Sequence, residues 1–199
     1  MNTIRTLGIL LFPGFEPLDV FGPLEMFGQL PENIKIVLIA EQPDSVTSII
    51  GAQVKADHSL INAPKLDILM VPGGMGTRKE VFNQTLIAWI ATCSASTELT
   101  LSVCTGAALL AKAGVLDGYK ATSNKLAFDW VCEQGQQVEW IRKARWVEDG
   151  KMITSSGVSA GMDMSLFVIA KLFGEEVRND VARRTEYLGT EDADLDPFA

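Results

Sequence analysis

Short runs of uninterrupted apolar residues recur along this 199-residue chain, and longer stretches of mixed polarity separate them. Runs such as residues 7–12 and 67–71 are followed by Pro-Gly, which is typical of strands buried on both faces. The pattern predicts helices at residues 23–30, 84–94, 107–113, 125–134 and 160–173, with a short helix from Glu175. It predicts strands at residues 7–12, 34–40, 67–71, 99–103, 139–147 and 151–154, with one or two edge strands within 46–54.

Strands that alternate with helices indicate βαβ units. We therefore predict an α/β fold of the flavodoxin-like type, with a mainly parallel sheet flanked by helices on both faces. The last two strands are expected to form a hairpin that turns at Asp149-Gly150. No linker-like tract and no internal repeat divides the chain, so we expect a single domain over residues 1–199.

Composition and charge narrow the classes of partner. Apolar residues make up 47% of the chain and charged residues 21%, which is a globular composition. The formal net charge is −8 and no cluster of Lys or Arg appears, so we expect no nucleic-acid partner. No apolar run approaches the ~20 residues that span a bilayer, so we expect no membrane partner. The N-terminus shows no signal-peptide pattern, and we expect a cytoplasmic protein.

The most informative chemistry lies where the strand at 99–103 runs directly into Cys104-Thr105-Gly106 and a helix of small residues. This is the layout of a nucleophile elbow with cysteine in place of serine. The helix N-terminus offers free N–H groups and a positive dipole end, which we expect to lower the pKa of Cys104. The alternative is that Cys104 is a small core residue, as most free cysteines are. Cys93 and Cys132 lack this setting, and packing explains both.

Two further loops follow strands that should end at the same edge of the sheet. In Val71-Pro72-Gly73-Gly74, the glycines let the backbone approach a ligand closely, and the N–H of Gly74 and Thr105 could form an oxyanion hole. Pro-Gly-Gly is also a common turn. The loop after the first strand carries Glu16 and Asp19.

A carboxyl beside a cysteine sulfur would have a raised pKa and could act as a general acid. Alternatively, Asp19 caps the following helix. His58, the only histidine, is expected in an exposed loop, and no paired cysteines or second imidazole suggest a metal site.

With these loops in view, the chain is identified as a member of the ThiJ/PfpI superfamily, whose fold is that of class I glutamine amidotransferases. The resemblance covers nearly the whole chain. It is closest to the isonitrile (isocyanide) hydratases, whose Leu-Asp-x-x-Gly-Pro motif matches residues 18–23 and assigns the acid role to Asp19 rather than Glu16. The motifs that carry it are Leu10-Leu11-Phe12-Pro13-Gly14, Val71-Pro72-Gly73-Gly74, Ser102-Val103-Cys104-Thr105-Gly106-Ala107 and Gly157-Val158-Ser159-Ala160-Gly161-Met162-Asp163.

The resemblance implies a mechanism. Cys104 would attack the isocyanide carbon to give a thioimidate, Asp19 would supply the proton and then help to activate water, and an N-substituted formamide would leave. It implies no cofactor and no metal, a small-molecule substrate, and a homodimer.

One departure concerns the segment after the cysteine helix. Related proteins often read Ala-Thr-Thr-His-Trp, whereas this chain reads Ala121-Thr122-Ser123-Asn124-Lys125, so the shape and polarity of the pocket are expected to differ. The chain ends at Ala199 in an acidic tail without the helix-turn-helix pair of related regulators, which disfavours a regulator. The alternatives to a hydratase are a glyoxalase-like or amidase-like enzyme, a redox sensor that uses Cys104, and a sensory domain that binds a small molecule.

Overall fold

The computed structural model describes residues 4–199. Its strands are β1 (Arg5–Leu10), β2 (Ile34–Ala40), β3 (Ser45–Thr47), β4 (Gln53–Lys55), β5 (His58–Ser59), β6 (Ile68–Val71), β7 (Leu99–Val103), β8 (Lys120–Ala121), β9 (Glu139–Trp140), β10 (Trp146–Asp149) and β11 (Met152–Ser155). Its helices are α1 (Pro17–Gly28), α2 (Thr77–Glu80), α3 (Gln84–Ser96), α4 (Gly106–Lys112), α5 (Phe128–Cys132), α6 (Ala160–Phe173) and α7 (Glu175–Arg184).

Seven strands form the central sheet in the order β10-β11-β7-β6-β1-β2-β5. All neighbouring pairs are parallel except the β10–β11 hairpin. Every residue of β6 and β7 is buried, which explains their continuous apolar character. The predicted, mainly parallel sheet is confirmed. Its parallel strands all end at one edge, where the loops after β1, β6 and β7 meet.

Two layers of helices cover the sheet. Helix α1 packs against α6, and α6 packs against α7. Helix α4 packs against α2, α3 and α5. The predicted α/β architecture is therefore present, and none of the helices among residues 4–199 has the length and apolar character needed to span a bilayer.

The first helix begins six residues before the predicted start at Pro23. Pro17 occupies its first turn, where the fixed φ of proline suits a helix and its missing N–H costs no hydrogen bond. Pro23 lies inside the helix. As a result, Asp19 lies on the first turn of α1 and not in a loop, which fixes its direction rigidly.

The segment predicted as a strand at 139–147 is two separate strands. Residues 139–140 form β9, which pairs with β8 in a small sheet, and only Trp146 and the residues after it join the central sheet. Between them the backbone turns toward the C-terminal segment, because the N–H of Arg145 donates to the carbonyl oxygen of Ala193 at 2.7 Å. The helix predicted at 125–134 is likewise shorter and covers only Phe128–Cys132.

A buried ionic cluster holds this C-terminal segment against the domain. The guanidinium of Arg145 contacts the Asp163 carboxylate at 2.7 Å, and both side chains are almost fully buried. The other oxygen of Asp163 accepts hydrogen bonds from the Tyr187 hydroxyl and the Thr190 N–H. Lys125 pairs with the buried Asp196 at 3.6 Å. The lysine that departs from the related proteins therefore points into this cluster.

We expect Asp163→Asn to destabilise the protein by about 3–5 kcal/mol, because it removes the nearer counter-charge of the buried Arg145 guanidinium and leaves only the Asp196 carboxylate, 3.9 Å away. Denaturant unfolding of the variant and the wild type measures this difference. Glu148→Gln, which breaks the more exposed pair with Lys171, is the matched control and should change the free energy of unfolding little. Equal effects of the two substitutions would contradict the structural role assigned to the cluster.

Candidate active site

Cys104 lies at a sharp turn between β7 and α4. Its φ is 57°, a left-handed conformation that non-glycine residues seldom adopt and that is typical of strained functional turns. Its N–H lies within hydrogen-bond distance of the carbonyl oxygens of Ser155 and Ser156, at 3.2 and 3.1 Å. The hydroxyl of Ser123 donates to the Cys104 carbonyl oxygen at 2.7 Å. These bonds from β11 and from the segment before α5 hold the strained turn in place.

Gly106 allows α4 to begin directly after this turn. A Cβ at this position would overlap the carbonyl oxygen of Val71 and would lie 2.8 Å from that of Pro72. Helix α4 can therefore pack against the end of β6 only with glycine here. The strand–cysteine–glycine–helix arrangement expected of a nucleophile elbow is present.

The carboxyl group of Asp19 is fully buried. Its Oδ2 accepts a hydrogen bond from the N–H of Gly73 at 2.9 Å, while its buried Oδ1 has no hydrogen-bond partner among residues 4–199. Burial raises the pKa of Asp19 to about 8; the hydrogen bond from Gly73 and the neighbouring Cys104 thiol oppose this effect, and the charge of Glu16 adds to it. The raised pKa predicted for a carboxyl near the cysteine is confirmed.

The alternative role of Asp19 as a helix cap is wrong. Glu16 occupies the N-cap position of α1, and no side chain makes a capping hydrogen bond there. Asp19 instead points across to the loop after β6 and to the cysteine. A carboxyl whose pKa is raised therefore lies beside the sulfur.

The N–H of Thr105 at the helix N-terminus does lower the pKa of Cys104, as predicted, but burial outweighs it and the net direction is upward. Burial raises the pKa of this thiol, the nearby Asp19 carboxylate raises it further, and the hydrogen bonds from Thr105 only partly oppose these effects. The side chain is 6% exposed, so water solvates the thiolate poorly. The pKa values of both groups are raised, which favours the protonated thiol and the protonated carboxyl in this site.

The Gly73-Gly74 loop joins Asp19 to the elbow. The N–H of Gly74 donates to the Thr105 hydroxyl at 3.0 Å, and the Thr77 hydroxyl donates to the Gly74 carbonyl oxygen at 2.7 Å. Of the two predicted oxyanion donors, the Gly74 N–H is thus already engaged and the Thr105 N–H faces the sulfur. The oxyanion role of Thr105 stays a prediction, and Gly74 could contribute only by releasing the threonine.

Gly73 is tightly enclosed by this arrangement. A Cβ on it would lie 2.6 Å from the Thr105 nitrogen and 2.9 Å from Asp19 Oδ2. We expect Gly73→Ala to displace the carboxyl from the cysteine and to reduce turnover by about tenfold or more. Steady-state assays measure this loss. Gly28→Ala, whose Cβ would meet no atom within 4 Å, is the control and should retain activity. Full activity in Gly73→Ala would contradict the assigned geometry.

Two polar residues that were not predicted, Thr77 and Ser123, support the site together with Thr105, whose N–H was a predicted oxyanion donor. Thr77 and Thr105 lie with their hydroxyls 3.2 Å apart under the Gly74 loop, and Ser123 fixes the elbow carbonyl. Ser123 belongs to segment 121–125, which differs from the Ala-Thr-Thr-His-Trp of related proteins. That difference was the signal that could have pointed to it. Thr77 carried no sequence signal, because α2 had not been predicted.

Other candidates lie elsewhere. His58 is half-buried on the edge strand β5 and not in the expected exposed loop. Cys93 and Cys132 are free and half-buried. Among residues 4–199 no three His, Cys, Asp or Glu side chains are grouped so that they could hold a metal ion.

Comparison with known proteins places the whole arrangement in a family. The isonitrile hydratase of Pseudomonas putida is 32% identical over 181 residues, which cover 91% of this chain and 78% of that protein. The HTH-type transcriptional regulator GbdR of Pseudomonas aeruginosa is 30% identical over 87% of this chain, which spans 48% of the regulator. The crystal structure of a ThiJ/PfpI family protein from Pseudomonas syringae matches with a TM-score of 0.88 at 32% identity, covering 94% of this chain and 77% of that one. The DJ-1/PfpI family model matches residues 5–171, and this chain belongs to that family.

Proposed function

We propose that this protein is a cysteine-dependent hydratase that adds water to an isonitrile and releases an N-substituted formamide. The observation that carries the proposal is the pairing of the Cys104 thiol with a buried Asp19 carboxyl of raised pKa that has one oxygen free. The similarity to isonitrile hydratase over most of both chains supports the choice of substrate class.

In the first half-reaction, Asp19 gives its proton to the isonitrile carbon as the Cys104 sulfur bonds to the same carbon. The thiol proton passes to Asp19, so the carboxyl returns to its starting state. The net change is the addition of S–H across the isonitrile carbon, which forms a thioimidate, R–N=CH–S. Proton transfer and covalent bond formation occur on adjacent groups, so neither a free thiolate nor a metal ion is required.

In the second half-reaction, Asp19 gives its proton to the thioimidate nitrogen and takes one from the water that adds to the thioimidate carbon, which forms R–NH–CH(OH)–S. The C–S bond then breaks, Asp19 gives its proton to the sulfur, and the hydroxyl proton passes to Asp19. The formamide, R–NH–CHO, leaves, and both groups are in their starting state. The Thr105 N–H at the start of α4 faces the sulfur and would stabilise negative charge on it in both steps.

The proposal also concerns the oligomeric state and the cellular location of the enzyme. Leu18, Phe21 and Met75 are 40%, 39% and 58% exposed, and they lie beside Asp19 and the Gly73-Gly74 loop. Exposed apolar side chains around a site are typical of an interaction surface. We propose that they contribute to a homodimer of a single-domain cytoplasmic enzyme, with a small isonitrile as substrate.

A substrate panel tests the reaction class. We expect the wild type to convert a simple aryl isocyanide to its formamide, while a 2-oxoaldehyde and a primary amide stay unchanged. Conversion of the aldehyde or the amide alone would contradict the hydratase and favour the glyoxalase-like or amidase-like alternative. No conversion of any compound would favour the alternative of a sensory domain that binds a small molecule; this chain matches 48% of the length of an HTH-type transcriptional regulator.

A further inference from the structure

A cavity of about 600 Å³ lies on the same edge of the sheet as Cys104 but contains none of the residues of that site. Residues 11–13 and 40–42, which follow the carboxyl ends of β1 and β2, line it together with residues from 44–47 and 79–86. This volume falls within the range of small-molecule sites, and ligands of open α/β sheets bind outside the carboxyl ends of the strands. The position and size indicate a second binding site.

Part of the wall of this cavity is apolar. Leu11, Phe12, Val46 and Leu86 are buried and line it. The side chain of Phe82, also in the lining, is 73% exposed although it is large and aromatic. An apolar ligand body would cover Phe82 and remove this area from water, which stabilises a complex.

The polar part of the wall carries an excess of negative charge, and its acids make no ion pair among residues 4–199. Glu80 is 5% exposed. Its Oε2 accepts a hydrogen bond from the Asn83 amide at 2.8 Å, and the same amide nitrogen donates to Glu41 at 2.8 Å. Asn83 cannot turn away, because its Oδ1 accepts the Leu86 N–H at the start of α3. Among residues 4–199, no ion pair includes either glutamate or the third acid of the lining, Asp44.

A buried carboxylate without a cation is costly, and a cationic ligand would remove that cost. The lining holds three carboxylates and one ammonium, that of Lys79, so its formal charge is −2. Lys79 is exposed, whereas Glu80 is buried. We propose that this cavity binds a primary organic ammonium with an apolar body, whose charged group contacts Glu80 and Glu41 and whose body covers Phe82.

The probe for this site is 2-phenylethylammonium, with 2-phenylethanol as its uncharged analogue and 3-phenylpropionate as its anionic one. Calorimetric titration of the full-length protein should show saturable binding of the ammonium. Both analogues should bind with an affinity at least about tenfold lower, or not at all. Glu80→Gln should weaken ammonium binding by about tenfold. If Glu80→Gln fails to fold, Glu41→Gln replaces it as the test, since Glu41 is exposed and should also contact the ammonium.

Two further variants complete the design. Thr47→Trp places a large side chain into the cavity from the exposed face of β3 and should abolish binding. Glu32→Gln removes the same charge at an exposed position outside the cavity and should leave affinity unchanged. Absence of saturable ammonium binding, equal affinity for the alcohol, or equal loss in Glu32→Gln would overturn the proposal. The readout is binding and not turnover, so the outcome is independent of the reaction proposed at Cys104.

Discussion

Cys104→Ser is expected to lower formamide formation by roughly 10³-fold or more, because it removes the atom that bonds to the isonitrile carbon. A serine hydroxyl at the same buried position is a much weaker nucleophile, and the raised pKa of Asp19 leaves little base to activate it near neutral pH. Turnover at saturating substrate measures the loss. The free energy of unfolding should stay close to that of the wild type, since the two side chains differ little in size.

The matched control is Cys132→Ser, which changes a half-buried cysteine outside the site and should keep full turnover. Alkylation by iodoacetamide in the same samples shows which of the three cysteine thiols is still present and reactive. Residual turnover of Cys104→Ser close to the wild-type value would contradict a covalent role for the sulfur, and the isonitrile would then have to react with water directly.

Asp19→Asn is expected to lower turnover by about 10²–10⁴-fold while the fold is retained. The amide oxygen can still accept the Gly73 N–H, but the amide cannot hand a proton to the substrate carbon. Wild-type turnover should fall as the pH rises through about 8, because the protonated carboxyl is lost there. Turnover by the variant should lack this fall.

The same substitution has a consequence for stability. The native state holds the Asp19 proton up to about pH 8, whereas an unfolded aspartate loses it near its ordinary value of 3.8. The stability of the wild type relative to Asp19→Asn is therefore greatest below about pH 4. It falls as the pH rises toward 8, by at most about 1.4 kcal/mol per pH unit. Denaturant unfolding of both proteins between about pH 5 and about pH 8 measures this slope. Parallel pH profiles of the two free energies of unfolding would contradict a raised pKa at Asp19.

The strands and helices that could be predicted from the sequence are those with strong local patterns. Ile34–Ala40, Leu99–Val103 and Ala160–Phe173 match the prediction to the residue, because continuous apolar runs or helical spacing define them and glycine or a short loop ends them. The start of α1 was missed because Pro23 looked like the first residue of a helix, while the residue that begins it is Pro17.

The candidate site could be predicted as far as its chemistry depends on local turns. Cys104, Gly73 and Asp19 each follow a strand or begin a helix, and parallel topology brings those ends together. The net direction of the Cys104 pKa shift could not be predicted, because it depends on how deeply the thiol and the Asp19 carboxyl are buried beside each other. The role of Lys125 was equally out of reach, since its partner Asp196 is 71 residues away in the chain and meets it only in the folded protein.

The central claim is that the isonitrile carbon becomes bonded to the sulfur of Cys104. Mass spectrometry of the wild-type protein quenched during turnover, followed by peptide mapping, tests this most directly. We predict a mass increase equal to one whole isonitrile molecule on the peptide that contains Cys104, and none in Cys104→Ser. Turnover without such an adduct, or an adduct confined to Cys93 or Cys132, would contradict the mechanism.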